Sequence, residues 1–452
     1  MMSYFKNLCW LLTGVILISG SMTTAQEVMR VSLQEARAYA MENNFDIKLA
    51  DTDIEIARKR VKENISTGLP QVKGMVNYTN NIELPTQLIP GEFFGLEEGE
   101  FAELQFGTRH NANWSAGVSQ MIFNGQFMVG LQAAQAFLKL RETSRKKAEI
   151  DVKTAIDQPY YTVVILNDSK TLFDSTLQSL NQMLYETREL YKAGFLEDTD
   201  VDQLEIVINT MQATLLNIES QLEIAVNTLK YQMGVGDEIN IEVTEKSQDL
   251  ISELEKSMLA QPEFVYERHI DYQLLQRQKQ LSLLNVDLRR SEYYPVINAY
   301  YSYGQNAMRN TFNFFEGNEK WFTSQMVGVQ MDVPIFSSGY RQHRVQQAKL
   351  EFEKVKIAED QLKQGLSLRY SAVNAEFQNA YRVYQTKKLS SRNAQNIFQK
   401  TEVKYLMGIS SSLDLSQTYN QFLSAQIEYL TSMLDLLVLK SELERELARG
   451  DM

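Results

Sequence analysis

The chain has 452 residues, with 45 Lys and Arg against 57 Asp and Glu, a net charge of −12. That acid excess argues against nucleic acid as a partner, because phosphate binding needs basic patches. The single cysteine, Cys9, rules out a disulfide framework.

Residues 1–25 read as a secretory signal peptide: Lys6 is the basic region, an apolar run follows, and Thr23-Thr24-Ala25 is a small-residue cleavage site. Removing Lys6 takes the charge from −12 to −13, since −12 − 1 = −13. No later stretch reaches the roughly 20 apolar residues of a transmembrane helix, so any membrane crossing falls to strands.

From Ser32-Leu33-Gln34-Glu35, a capping-box pattern, one helix is expected as far as Gly68-Leu69-Pro70. Its apolar stripe is often small, through Ala36, Ala40, Ala50 and Ala57, which suits close helix packing. Val72, Gly74, Val76 and Tyr78 alternate with polar residues as a strand over about 70–81. Residues 80–109 read as a long irregular loop. A second strand, about 110–123, returns through Trp114, Ala116, Val118 and Ile122.

After Asn124-Gly125-Gln126 the period changes from 2 to 3.6 without a linker. A helical hairpin is expected over 127–234, with a kink at Pro159 and a turn at Tyr191-Lys192-Ala193-Gly194. Residues 237–262 read as a connector. A further helix ends at Tyr294-Pro295, strands follow at about 295–305 and 322–336, and a second helical hairpin covers 339–450 with its turn at Met407-Gly408. Along the last strand Val327, Val329, Met331, Val333 and Ile335 point one way, and Gly328, Gln330, Asp332 and Pro334 the other.

The chain is therefore an internal repeat. Phe123 answers Phe336 at an offset of 336 − 123 = 213, Gly194 answers Gly408 at 408 − 194 = 214, and Asp200 answers Asp414 at the same 214. The repeats are drawn at 26–236 and 263–452. Each supplies two strands. Four strands cannot close a barrel, and an open edge is not tolerated in lipid. Two, three or four copies in a ring would each satisfy that rule.

Duplicated behind a signal peptide, the helix start at Ser32, the helix-to-strand Pro70 and Pro295, the strand ends Ile122-Phe123-Asn124-Gly125 and Val333-Pro334-Ile335-Phe336, and the two Tyr-x-x-Gly turns followed by Asp resemble the TolC family of outer-membrane channels. The resemblance covers essentially the whole mature chain. It implies a mostly α fold with a membrane β-barrel, a homotrimer with a twelve-stranded barrel in outer-membrane lipid, and an α-helical tunnel through the periplasm of a Gram-negative bacterium. It also implies a passive exit duct for a tripartite efflux pump or type I secretion system, docking a periplasmic adaptor of an inner-membrane transporter at its helical tip. On this resemblance Tyr191, Gly194 and Asp200, with Tyr405, Gly408 and Asp414, mark the tip and its aperture. The family's second acidic position is Gln417 here, and Gln203 in the first repeat. The competing explanation for Asp200 and Asp414 is that they complement helix N-termini.

No GxxxxGK[ST], HExxH, GxSxG or CxxC occurs, and His110, His269 and His343 lack ligand spacing. Neither catalysis, cofactor nor metal is expected. Trp114, Tyr300, Tyr301, Phe315 and Trp321 are candidates for an interfacial girdle, with core packing as the alternative. A periplasmic coiled-coil adaptor or scaffold without a barrel is the rival reading.

Overall fold

The computed structural model describes residues 28–257 and 263–447. The signal peptide read at 1–25, the end of the connector at 258–262 and the end of the second hairpin at 448–450 lie outside these residues.

Strand β1 (Val28–Val31) was not legible in the sequence. Helix α1 (Leu33–Asn43) starts on the expected capping box: the Ser32 hydroxyl accepts from the Glu35 N–H, and the Glu35 carboxylate accepts from the Ser32 N–H at 2.8 Å. The single helix expected up to Gly68 is two helices. Asn44 is extended (ψ 141) and caps α2 (Phe45–Thr67), accepting from the Asp46 and Ile47 N–H groups. Asparagine is a strong N-cap because its short side chain satisfies those otherwise free donors.

Strands β2 (Gln71–Asn80), β3 (Thr86–Pro90), β4 (Phe101–Gln105) and β5 (His110–Asn124) follow. The stretch expected to be irregular is thus a second hairpin, β3 pairing with β4. Helix α3 (Gly125–Lys192) is one element of 68 residues, about 100 Å at 1.5 Å per residue. Pro159, where a kink is expected, lies inside this single helix. Helix α4 (Asp198–Met233) completes the first helical hairpin.

The connector is folded over its described part, 237–257. Its strand β6 (Asn240–Val243) pairs in parallel with β1, and α5 (Ser247–Ser257) follows. This small unit is tied to α3 by Glu245, which accepts from the Tyr160 hydroxyl at 2.7 Å and from the Leu33 N–H at 2.9 Å. Then come α6 (Ile270–Ser291), β7 (Val296–Arg309), β8 (Phe322–Asp332), α7 (Tyr340–Leu406) and α8 (Ser412–Leu447). Strand β8 stops at Asp332, short of Phe336, because Asp332 pairs with Val296, the first residue of β7, and the ladder has no partner beyond it.

The four long strands form one antiparallel sheet in the order β2-β5-β7-β8. Its register aligns Val72, Val118, Tyr301 and Val327 on one face. Asn77, Asn113 and Asn306 align on the other. Within the protomer the apolar face is uncovered, Val76 and Val327 both being 82% exposed. The edges β2 and β8 are open.

Helices continue the strands one for one. Alpha helices α2, α3, α6 and α7 lie side by side in the same order as β2, β5, β7 and β8. Farther from the sheet, α4 packs on α3, α8 on α7, and α3 on α8. Two cores hold this layer together. One surrounds Ile156, Tyr160, Tyr161, Phe377 and Leu436, and the other, nearer the turns, Phe173, Leu180, Met211, Phe398 and Tyr419. Helix α8 has the length and composition to cross a membrane, contrary to the expectation that no later stretch does. Its Tyr419, Phe422, Leu436 and Leu437 are instead buried in these two cores.

Candidate functional site

The two helical hairpins end in turns with the same backbone. In the first, the Gly194 N–H donates to Tyr191 O at 2.9 Å and the Phe195 N–H to Leu190 O at 3.0 Å. In the second, the Gly408 N–H donates to Tyr405 O at 2.9 Å and the Ile409 N–H to Lys404 O at 2.8 Å. Both glycines are left-handed, with φ of 79° and 70°, and a Cβ added at either would meet nothing within 4 Å. Glycine is therefore required by conformation and not by space.

The acids that follow cap the returning helices. Asp200 Oδ2 accepts from the Glu197 N–H at 3.1 Å. Asp414 Oδ2 accepts from the Ser411 N–H at 3.1 Å, the Ser411 hydroxyl at 2.8 Å and the Ser410 hydroxyl at 3.2 Å, while its own N–H donates to Ser411 Oγ at 3.1 Å. These bonds, those from Ser411 first, hold the Asp414 carboxyl below the usual carboxylate range. The capping role expected as the competing explanation is thus present in both repeats. It leaves the Asp414 carboxylate exposed, with Gln417 exposed one turn on.

The tyrosines differ. Tyr191 is 46% exposed, whereas Tyr405 is buried at 7% and lies 3.2 Å from the Thr187 hydroxyl. Burial raises the Tyr405 phenol above its ordinary value. Tyr405 therefore does not share the exposed face of Asp414 and Gln417; it is packed between α7 and α3. A second link between the hairpins joins the Ser179 hydroxyl to Glu402 at 2.6 Å. Gln203, the first-repeat counterpart of Gln417, has its side-chain oxygen buried without a hydrogen bond. Sequence reasoning missed Thr187, Ser179 and Glu402, since nothing in their spacing shows which residues of another helix they meet. Ser411 was missed as well, although its spacing to Asp414 is that of a Ser-x-x-Asp cap.

Of the three histidines, His110 meets the Tyr78 hydroxyl at 2.9 Å and buried His269 caps α6 through Nδ1, accepting from the Asp271 N–H at 3.1 Å. Among the described residues no group of three or more His, Cys, Asp or Glu is arranged to hold a metal ion. The turns offer hydrogen bonds between α3 and α7 and an exposed carboxylate. They offer no nucleophile paired with a base.

Comparison with known proteins places this architecture. A model of the outer membrane efflux protein family matches residues 37–235 and 271–445, one match in each half of the chain. No curated protein sequence matches significantly. Among solved structures, CusC superposes with a TM-score of 0.70 at 14% identity, covering 92% of each chain. VceC from Vibrio cholerae gives 0.67 at 15%, covering 93% of this chain and 97% of that one. The MtrE channel of Neisseria gonorrhoeae, in its open state, gives 0.65 at 18%, covering 92% and 89%.

Proposed function

The chain belongs to the outer membrane efflux protein family, and from that premise we propose that it works as a homotrimeric exit duct. Three copies join β8 of one to β2 of the next, closing twelve strands into a barrel in the outer membrane. The helices continue as a tunnel whose far end docks a periplasmic adaptor of an inner-membrane transporter, in an efflux pump or a type I secretion system. The repeats span 26–236 and 263–452, joined by the connector at 237–262. The duct is passive, and the transporter supplies the energy.

The observation that carries this reading is the matched order of strands and helices, β2-β5-β7-β8 above α2-α3-α6-α7. A barrel that closes around the sheet then closes a tunnel around the helices. The apolar face with Val76 and Val327 meets lipid, and the face with Asn77, Asn113 and Asn306 lines water. A scaffold without a barrel leaves the exposed valine face in water.

The turns at Gly194 and Gly408 form the periplasmic tip. The Thr187–Tyr405 and Ser179–Glu402 bonds act as latches that part when α7 and α8 swing away from α3. Asp414 from three copies forms a ring that favours cations over anions. Single-channel recording of Asp414→Ala tests the ring: the expected outcome is a weakened cation preference. Unchanged preference and conductance would remove Asp414 from the aperture.

A further inference from the structure

Beyond the Asn80–His110 pair the sheet gives way to the β3–β4 hairpin. The Asn81 N–H donates to Arg109 O at 2.7 Å and the Asn81 side-chain amide to Thr108 O at 2.9 Å, closing its base. A 3-10 turn over Gly91–Phe94 lies near its end. Helices leave β2 and β5 from their opposite ends, so the hairpin is at the pole farthest from the turns. On the proposed reading, which this inference rests on, it stands outside the cell.

Its surface is unusual in two respects. Strands β3 and β4 pack chiefly on each other, yet Phe93 is 81% exposed, and Leu88, Phe94 and Phe101 are exposed as well. Between residues 81 and 108 the chain carries Glu83, Glu92, Glu97, Glu98, Glu100 and Glu103 and no Lys or Arg. Leu88 pairs with Glu103 and Pro90 with Phe101, which sets apolar and acidic side chains next to one another. A lone two-stranded hairpin is marginal in water, and a contiguous exposed apolar patch marks a contact surface.

We propose that this hairpin is a docking surface for an extracellular protein partner that presents clustered Lys or Arg beside apolar side chains. Charge selects among the occupants. An anionic lipid surface would be repelled by six carboxylates without a counter-charge. A second copy would set six further carboxylates against them, a like-charge cost that grows as the apolar groups close and water leaves. A basic partner gains from the apolar contact and the ion pairs together.

The test uses the full-length protein in detergent and, as probe, a synthetic peptide of alternating Lys and Phe, with binding measured against detergent alone. Wild type is compared with the triple variant Glu97→Gln, Glu98→Gln, Glu100→Gln and with the double variant Phe93→Ser, Phe94→Ser. Each is expected to weaken binding by tenfold or more, and added salt to weaken the wild type. Unchanged affinity in either variant overturns the proposal, since charge alone or apolar contact alone is not a docking surface of this kind. Spontaneous disulfide linkage between protomers carrying Phe93→Cys would also overturn it, by assigning the surface to a second copy. The mass of each unheated complex separates the two readings: variants that assemble normally and still bind the probe defeat the hairpin proposal and leave the channel intact.

Discussion

The two halves of the chain share a backbone and differ in what they bury. Tyr191 and Tyr405 each precede a left-handed glycine by three residues, but only Tyr405 is packed inward, against Thr187. Farther from the turns, Asp157 on α3 is buried and receives two bonds from Arg37, at 2.8 and 2.6 Å, and one from the Ser441 hydroxyl. Its counterpart at the same offset, 157 + 214 = 371, is Ser371, exposed and bonded only to Ser367 O of its own helix. Nearer the sheet the same offset pairs Arg145 with Glu359, since 145 + 214 = 359. Arg145 reaches back to Asp51 on α2, whereas Glu359 accepts from Lys279 on α6 at 2.5 Å. Equivalent helix pairs are thus held by ion pairs of opposite polarity. Duplication preserved periodicity and turns, and equivalent positions then acquired different polar ties, Asp157 with Arg37 against an exposed Ser371, and a packed Tyr405 against an exposed Tyr191.

The sharpest break in this comparison is expected at its most unequal position. Asp157→Ala strands the Arg37 guanidinium and should cost about 3–5 kcal/mol. Ser371→Ala should stay within about 0.5 kcal/mol. Thermal unfolding of the purified variants measures both, and similar losses would contradict the asymmetry.

Polarity is the next contrast. Glu359→Lys sets a third cation beside Lys279 and Lys363 and should cost about 1.5–3 kcal/mol, from the lost charged hydrogen bonds. Adding Lys279→Glu should recover much of that loss in denaturant unfolding. The same pair gives a pH signature. Bonds from Lys279, then Gln276 and Tyr272, bring the Glu359 carboxyl down to about 2 from 4.5. A depressed carboxylate contributes stability above its unfolded value and loses it as pH falls through the folded one. The wild type should therefore weaken between pH 4.5 and about 2, more steeply than Glu359→Gln in an acid titration followed by circular dichroism.

At the tip the expected differences are smaller. Tyr405→Phe removes a buried hydrogen bond worth about 1 kcal/mol and should raise the frequency of open events in planar bilayers, while Tyr191→Phe should change neither. Smallest is the contrast between Gly194→Ala and Gly408→Ala. Each meets the left-handed penalty of about 1 kcal/mol with no added clash, so equal melting shifts are expected.

Much of this architecture was legible because it repeats. A period of 2 that turns into 3.6 at Asn124 and again near Gly339 marks both strand-to-helix passages, and Gly194 and Gly408 mark both turns. Three features were hidden for separate physical reasons. The break at Asn44 lies within one apolar stripe, where a side chain that caps α2 and donates to Gln232 O outweighs continuity. The β1–β6 pair joins short segments some two hundred residues apart, and no local pattern announces a parallel pairing. The β3–β4 hairpin carries apolar residues in a stretch rich in Gly, Pro and Glu, which reads as irregular until the register is known. At the tip, Asp414 was legible as a helix acid, but the inward packing of Tyr405 depends on Thr187, a residue of another helix.

Closure of the open sheet by identical copies is the claim on which the rest depends. It is tested most directly by membrane fractionation followed by mass determination of the unheated, detergent-extracted complex. A trimer confined to the outer membrane is the predicted result. A periplasmic monomer or dimer that needs no detergent would contradict it.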